Sequence, residues 1–117
     1  MSEERAEGPE IVYRNDGSIW YKEWRNAEGD LHRLDGPANI WYRSDETFCY
    51  KIWYQNGKYH HTDGPAWIKY DFAEVVNGCS WWLSGKQFAF GEFLGAVGAD
   101  DRKAAIRWCL MSGVEVL

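Results

Sequence analysis

No segment of this 117-residue chain is apolar for long enough to cross a bilayer as a helix. Met1-Ser-Glu-Glu-Arg5 has no hydrophobic run behind it, so no signal peptide is expected. An excess of basic residues is also missing. Lys and Arg number 13 against 18 Asp and Glu, for a net charge of −5. That balance argues against direct binding to nucleic-acid phosphates or anionic membranes, which need a basic face, and it is compatible with a basic protein partner. Cysteines are few, odd in number and widely spaced: Cys49, Cys79 and Cys109. They read as free, mostly buried thiols in a reducing cytosol, and a disulfide framework is not expected. Aliphatic side chains are scarce, which leaves aromatic rings to supply most of the buried area.

Rings are what the chain has in surplus. Aromatic residues make up 17% of it, including eight tryptophans. One domain of this length builds a single core, and that core cannot hide so many rings. Some are expected on the surface, where they would form a binding face.

The strongest pattern is a repeat. Leu31-His-Arg-Leu-Asp-Gly-Pro-Ala-Asn-Ile-Trp-Tyr42 returns 28 residues later as Tyr59-His-His-Thr-Asp-Gly-Pro-Ala-Trp-Ile-Lys-Tyr70. A weaker copy starts at Gly8-Pro9-Glu10, and Gly29, Gly57 and Gly85 keep the same spacing. A fixed period of this size means an array of one small unit. Within Ala38-Asn-Ile-Trp-Tyr42, alternation puts Ala38, Ile40 and Tyr42 on one face and Asn39 and Trp41 on the other. Val12, Ile40 and Ile68 are expected to form a core-facing row. Asn56-Gly57 is a hairpin signal, because both residues tolerate positive φ. One extra residue between Trp24 and Gly29 predicts a bulge or longer loop there.

The expected fold is therefore mainly β. It is an antiparallel meander of about six strands over residues 8–90, preceded by an acidic tail (1–7) and closed by a helical cap (91–117). A short helical turn is predicted at Glu92-Phe-Leu94. A helix is predicted from Asp100 or Asp101, as N-cap, to a stop at Gly113, with Ile106, Cys109 and Leu110 packed on the sheet. Val114–Leu117 is read as a short last strand.

The recurring His-x-x-Asp-Gly-Pro-Ala invites a catalytic or metal reading, and turn chemistry accounts for it better. Asp35 and Asp63 accept backbone N–H groups, Gly36 and Gly64 give conformational freedom, and Pro37 and Pro65 open the next strand. The histidines are expected to pack or hydrogen-bond beside the turn. His32, His60, His61, Asp35 and Asp63 are the only metal candidates, and an extended array holds successive copies apart, so no metal or other cofactor is expected. No serine or cysteine sits in an activated nucleophile motif, and Gly91–Gly98 lacks the Lys-Ser/Thr of a phosphate loop. The chain does not read as an enzyme.

The residues expected to bind a partner are Tyr13, Trp20, Trp41, Tyr59 and Trp67, on or near the face opposite the aliphatic row. Trp24, Trp53 and Trp82 (or Trp81) recur with the unit and are read as a structural ladder. The units His32–Ala38, Trp53–Lys58 and His60–Ala66 resemble tandem repeats of small phage and large-virus proteins, described as variants of the MORN repeat. That resemblance covers about residues 8–90. It implies a β-hairpin scaffold with a helical end and an interaction surface without activity. The expected function is a cytoplasmic, non-enzymatic protein-binding module: a small acidic phage protein that binds and inhibits a host defence protein, such as a nuclease that holds nucleic acid, through its basic surface. The alternatives are a carbohydrate-binding module using exposed Trp and Tyr, and an assembly component that pairs with a second copy at an open sheet edge.

Overall fold

The computed structural model describes residues 8–114. Among the described residues the strands are β1 (Glu10–Tyr13), β2 (Ile19–Glu23), β3 (Asn39–Tyr42), β4 (Phe48–Ile52), β5 (Tyr54–Gln55), β6 (Lys58–Tyr59), β7 (Trp67–Tyr70), β8 (Val76–Leu83) and β9 (Lys86–Phe88). Two helices follow, α1 (Phe90–Ala96) and α2 (Ala99–Ser112). Seven strands form one antiparallel sheet in the order β1-β2-β3-β4-β7-β8-β9, and β5 pairs with β6 as a separate ribbon. The architecture is thus the meander with a C-terminal helical cap. The strands beyond six come from the short hairpins. The acidic tail (1–7) and residues 115–117 of the expected last strand lie outside the described residues, and Val114 is not in a strand.

Register assigns the faces. Ile11, Lys22, Ile40, Lys51, Ile68 and Cys79 lie abreast in one row, and Val12, Tyr21, Trp41, Tyr50, Lys69 and Gly78 form the neighbouring row on the opposite face. The aliphatic row therefore contains Ile11, not Val12. The residue inserted between Trp24 and Gly29 lengthens the first unit, so positions before it sit one step out of the 28-residue spacing; Glu10, through Glu23, is level with Asn39, and Gly8-Pro9-Glu10 does not superpose on Gly36-Pro37-Ala38. The inserted stretch forms a loop tied by Asn26, whose N–H is donated to Asp30 O and whose Oδ1 accepts the N–H groups of Glu28 and Asp30.

Each long hairpin carries an irregularity at the same place, between Val12/Tyr13, Trp41/Tyr42 and Lys69/Tyr70. Trp20, Cys49 and Asn77 are the extra residues, and such a bulge re-aims the side chains beside it. The short hairpins turn through Asn56-Gly57 (φ 51° and 78°) and Ser84-Gly85 (φ 48° and 84°). Positive φ at both central residues matches the right-handed twist of the flanking strands.

The core lies under the helices. Trp81, Phe93, Ala105 and Cys109 are buried together, with Phe93 fully enclosed and its ring centroid 4.8 Å from that of Trp81. The predicted turn at Glu92–Leu94 extends to the full helix α1, whose Ala89 N–H is donated to Glu92 Oε1. The N-cap of α2 is Gly98; Asp100 and Asp101 instead occupy the first turn, where their charge favours the helix dipole. Gly113 ends the helix in the left-handed region (φ 72°) and donates its N–H to Cys109 O. The buried face of α2 is Ala105 and Cys109 with Trp108 half-buried; Ile106 and Leu110, expected against the sheet, are 40% and 80% exposed. The sheet packs against a narrow stripe and leaves the larger aliphatics outside.

Candidate functional site

The face opposite the aliphatic row is aromatic. Pairing sets Tyr21, Trp41 and Tyr50 side by side, and Ile52 beside Trp67. Trp20, in the bulge next to Tyr21, meets Trp41 edge-on at 6.1 Å. Tyr21 and Trp41 are tilted together at 4.5 Å, as are Tyr50 and Trp67 at 5.6 Å. The Trp41 indole is aimed by a short chain of bonds: its Nε1–H is donated to Asn39 Oδ1, and Asn39 Nδ2 is donated to Lys22 O. Asn39 is itself buried, so the ring cannot turn without stranding an amide. Trp41, Tyr50, Ile52 and Trp67 line a shallow apolar dish of about 350 Å³. Trp20 remains 44% exposed at its margin.

Of the residues named from the sequence, Trp20, Trp41 and Trp67 share this face. Tyr13 lines an adjoining groove with Arg14, Asn15 and Trp20. Tyr59 does not join them. It belongs to the β5–β6 ribbon, where its ring packs 5.0 Å from Tyr54 and 4.8 Å from Trp82. Tyr21, Tyr50 and Ile52 escaped the sequence reading, because alternation within one strand does not reveal which residues of its neighbours stand beside Trp41 or Trp67.

The His-x-x-Asp-Gly-Pro-Ala element is also more specific than a generic turn. His32 Nδ1 accepts the backbone N–H of Asn56, and His60 Nδ1 accepts that of Ser84. Each histidine therefore ties its unit to the hairpin turn of the next one. The residue after each histidine lies on a tryptophan: the Arg33 guanidinium is 4.0 Å from the Trp24 ring, and His61 stacks on Trp53 at 4.4 Å and 9°. Both reach the same acceptors. Arg33 Nε–H is donated to Asp35 Oδ1 and Nη1–H to Pro37 O; His61 Nε2 lies 2.7 Å from Asp63 Oδ1 and Nδ1 lies 2.8 Å from Pro65 O.

This corrects the expected roles. Asp35 and Asp63 accept side-chain donors, and neither Gly36 nor Gly64 has positive φ. A Cβ at Gly36 would stand 2.8 Å from Arg33 Cζ, and one at Gly64 would stand 2.9 Å from His61 Cε1. These glycines supply room for a planar group, not backbone freedom. Of the tryptophans expected to form a ladder, Trp24 packs on Arg33, Trp53 on His61 and Trp81 on Phe93 of α1, while Trp82 meets Tyr59 edge-on.

A cleft of about 390 Å³ separates the two turns, lined by Arg33, Asp35, Trp53, His60, His61 and Asp63 among others. Among the described residues no group of three or more His, Cys, Asp and Glu side chains converges on a metal position. Burial pushes the Cys79 thiol up to about 11 and raises Cys109 as well, so neither is a ready nucleophile near neutrality. Among the described residues no helix is long and apolar enough to cross a membrane. No protein-family model, curated protein or solved structure matches this chain.

Proposed function

We propose that the chain is a protein-binding module that works through its aromatic face. The observation that supports this reading is the dish of Trp41, Tyr50, Ile52 and Trp67, held open beside a 44% exposed Trp20 by the Trp41–Asn39 bond. A concave apolar site with pinned aromatic walls accepts one protruding side chain of a partner, the arrangement that concentrates binding energy in few residues. The rings lean on one another at 35–77° and so do not present the parallel open platforms on which sugars stack. Asp16, Asp45 and Glu46 lie on the exposed turns at the ends of β1–β4, and the chain carries −5 overall. A partner with a basic rim, such as the nucleic-acid channel of a nuclease, complements that charge.

The test is capture of partners from bacterial lysate by the wild-type chain and by Trp41→Ala/Trp67→Ala, with circular dichroism to establish that the variant folds. A specific partner is lost by the folded double variant and kept by Lys22→Ala, which lies on the other face. Retention of every partner by the double variant rejects the aromatic-face model. Quenching of indole fluorescence by oligosaccharides would instead establish the carbohydrate reading.

A further inference from the structure

Arg33 and His61 fill equivalent places, and only one of them is permanently charged. The arginine has N–H groups to spare for both Asp35 and the Pro37 carbonyl. A neutral imidazole carries a single N–H, and its other nitrogen is an acceptor. Yet His61 has an acceptor at hydrogen-bond distance from each ring nitrogen, a carboxylate oxygen at 2.7 Å and a carbonyl at 2.8 Å. Both contacts are bonds only in the imidazolium. In the neutral ring one of them becomes a lone pair facing a lone pair.

We infer that the second Asp-Gly-Pro turn is a proton-operated latch, closed when His61 is imidazolium and one bond short when it is neutral, whereas Arg33 keeps the first turn closed at every pH. Three features besides the bond pattern fit this reading. His61 stacks flat on Trp53, as the guanidinium does on Trp24, and a ring face attracts a cation. The Cα of Gly64 leaves space for the ring, as Gly36 does for the guanidinium. The His61 N–H is donated to Trp82 O, which holds the backbone while the side chain changes state.

The groups around the ring determine where it switches. Burial pushes the His61 pKa down from its ordinary value; the Pro65 carbonyl and the Asp63 carboxylate pull it up, and neighbouring His60 adds to the lowering. Across the cleft stand Arg33 and Asp35, already paired with each other. Trp53 and Pro65 are uncharged. The latch therefore closes on the acid side of the ordinary histidine range and opens toward neutral pH. What it opens is the wall of the cleft between the turns, on a part of the fold separate from the aromatic dish.

The experiment is proton–nitrogen NMR of the full chain across the range where histidine titrates, about pH 4.5 to 8. The expected result at low pH is a His61 ring protonated at both nitrogens. As pH rises, loss of one proton should coincide with a shift of the Thr62–Ala66 amide signals. His61→Arg, built on the pattern of Arg33, should fold and lose that shift. Asp63→Asn should move the His61 midpoint to lower pH. Thr62–Ala66 signals that ignore His61 titration, a response that persists in His61→Arg, or a midpoint unmoved by Asp63→Asn would each overturn the inference.

Discussion

The carboxylate of Glu46 accepts the backbone N–H of Ile19 at 3.0 Å, 27 residues earlier in the chain. Glu74 does the same for Phe48 at 3.1 Å. Both glutamates sit in the left-handed region, at φ 66° and 60°, and Gly17 takes the corresponding turn position of the first hairpin at φ 87°. A non-glycine residue there costs about 1 kcal/mol, which a hydrogen bond of about 1 kcal/mol offsets. Glu46→Ala keeps the strain and loses the bond, so it should lower stability by about 1 kcal/mol. Glu46→Gly loses both and should fall within about 0.5 kcal/mol of wild type. Urea denaturation of the two variants checks this, and equal losses would refute it.

Gly64 and Gly36 are predicted to respond unequally to alanine. The added methyl meets the His61 ring in one case and the Arg33 guanidinium in the other. His61 is pinned between Trp53, Asp63 and Pro65 O, while the flexible arginine stem can yield. Gly64→Ala should cost about 1–3 kcal/mol as an overpacked site and Gly36→Ala clearly less. Melting temperatures of the two variants decide it; the reverse order would mean that the arginine turn is the more rigid one.

The contrast shows what one sequence makes legible. The 28-residue spacing of Asp-Gly-Pro-Ala and of Gly57 and Gly85 foretells turns and strands, because φ preferences and alternation act locally. It does not tell whether a glycine is present for its φ or for lack of a Cβ, since that depends on where Arg33 and His61 fold back. The aromatic face was half legible for a similar reason. Trp41 and Trp67 follow from alternation, whereas Tyr21 and Tyr50 need the cross-strand register, and the residue inserted after Trp24 shifts the register of the first unit.

Acid should weaken the fold in the range where histidines titrate. His60 Nδ1 accepts the Ser84 N–H, which requires that nitrogen to be unprotonated. Burial lowers its pKa below the ordinary 6.5. With the folded value depressed, the unfolded chain binds more protons. The contribution is fully present above the unfolded pKa and is lost as pH falls through the folded one. Denaturation midpoints should thus drop as pH falls below the ordinary histidine value of 6.5. His60→Asn, which keeps an acceptor and cannot titrate, should flatten part of that slope. A slope unchanged by this substitution would place the proton linkage elsewhere.

The helical cap offers the widest contrast in cost. Phe93 is fully buried against Trp81, in a core it shares with Ala105 and Cys109. Truncation leaves a cavity in a part of the fold where rings supply most of the packing. Phe93→Ala should cost about 3–5 kcal/mol, enough to unfold a domain of ordinary stability. Leu110, equally apolar and on the same cap, is 80% exposed, so Leu110→Ala should stay within about 0.5 kcal/mol. Paired urea titrations measure both. A large loss at Leu110 would mean that the outer side of α2 is covered in solution, and the narrow buried stripe of Ala105 and Cys109 would then be only half of what that helix packs against.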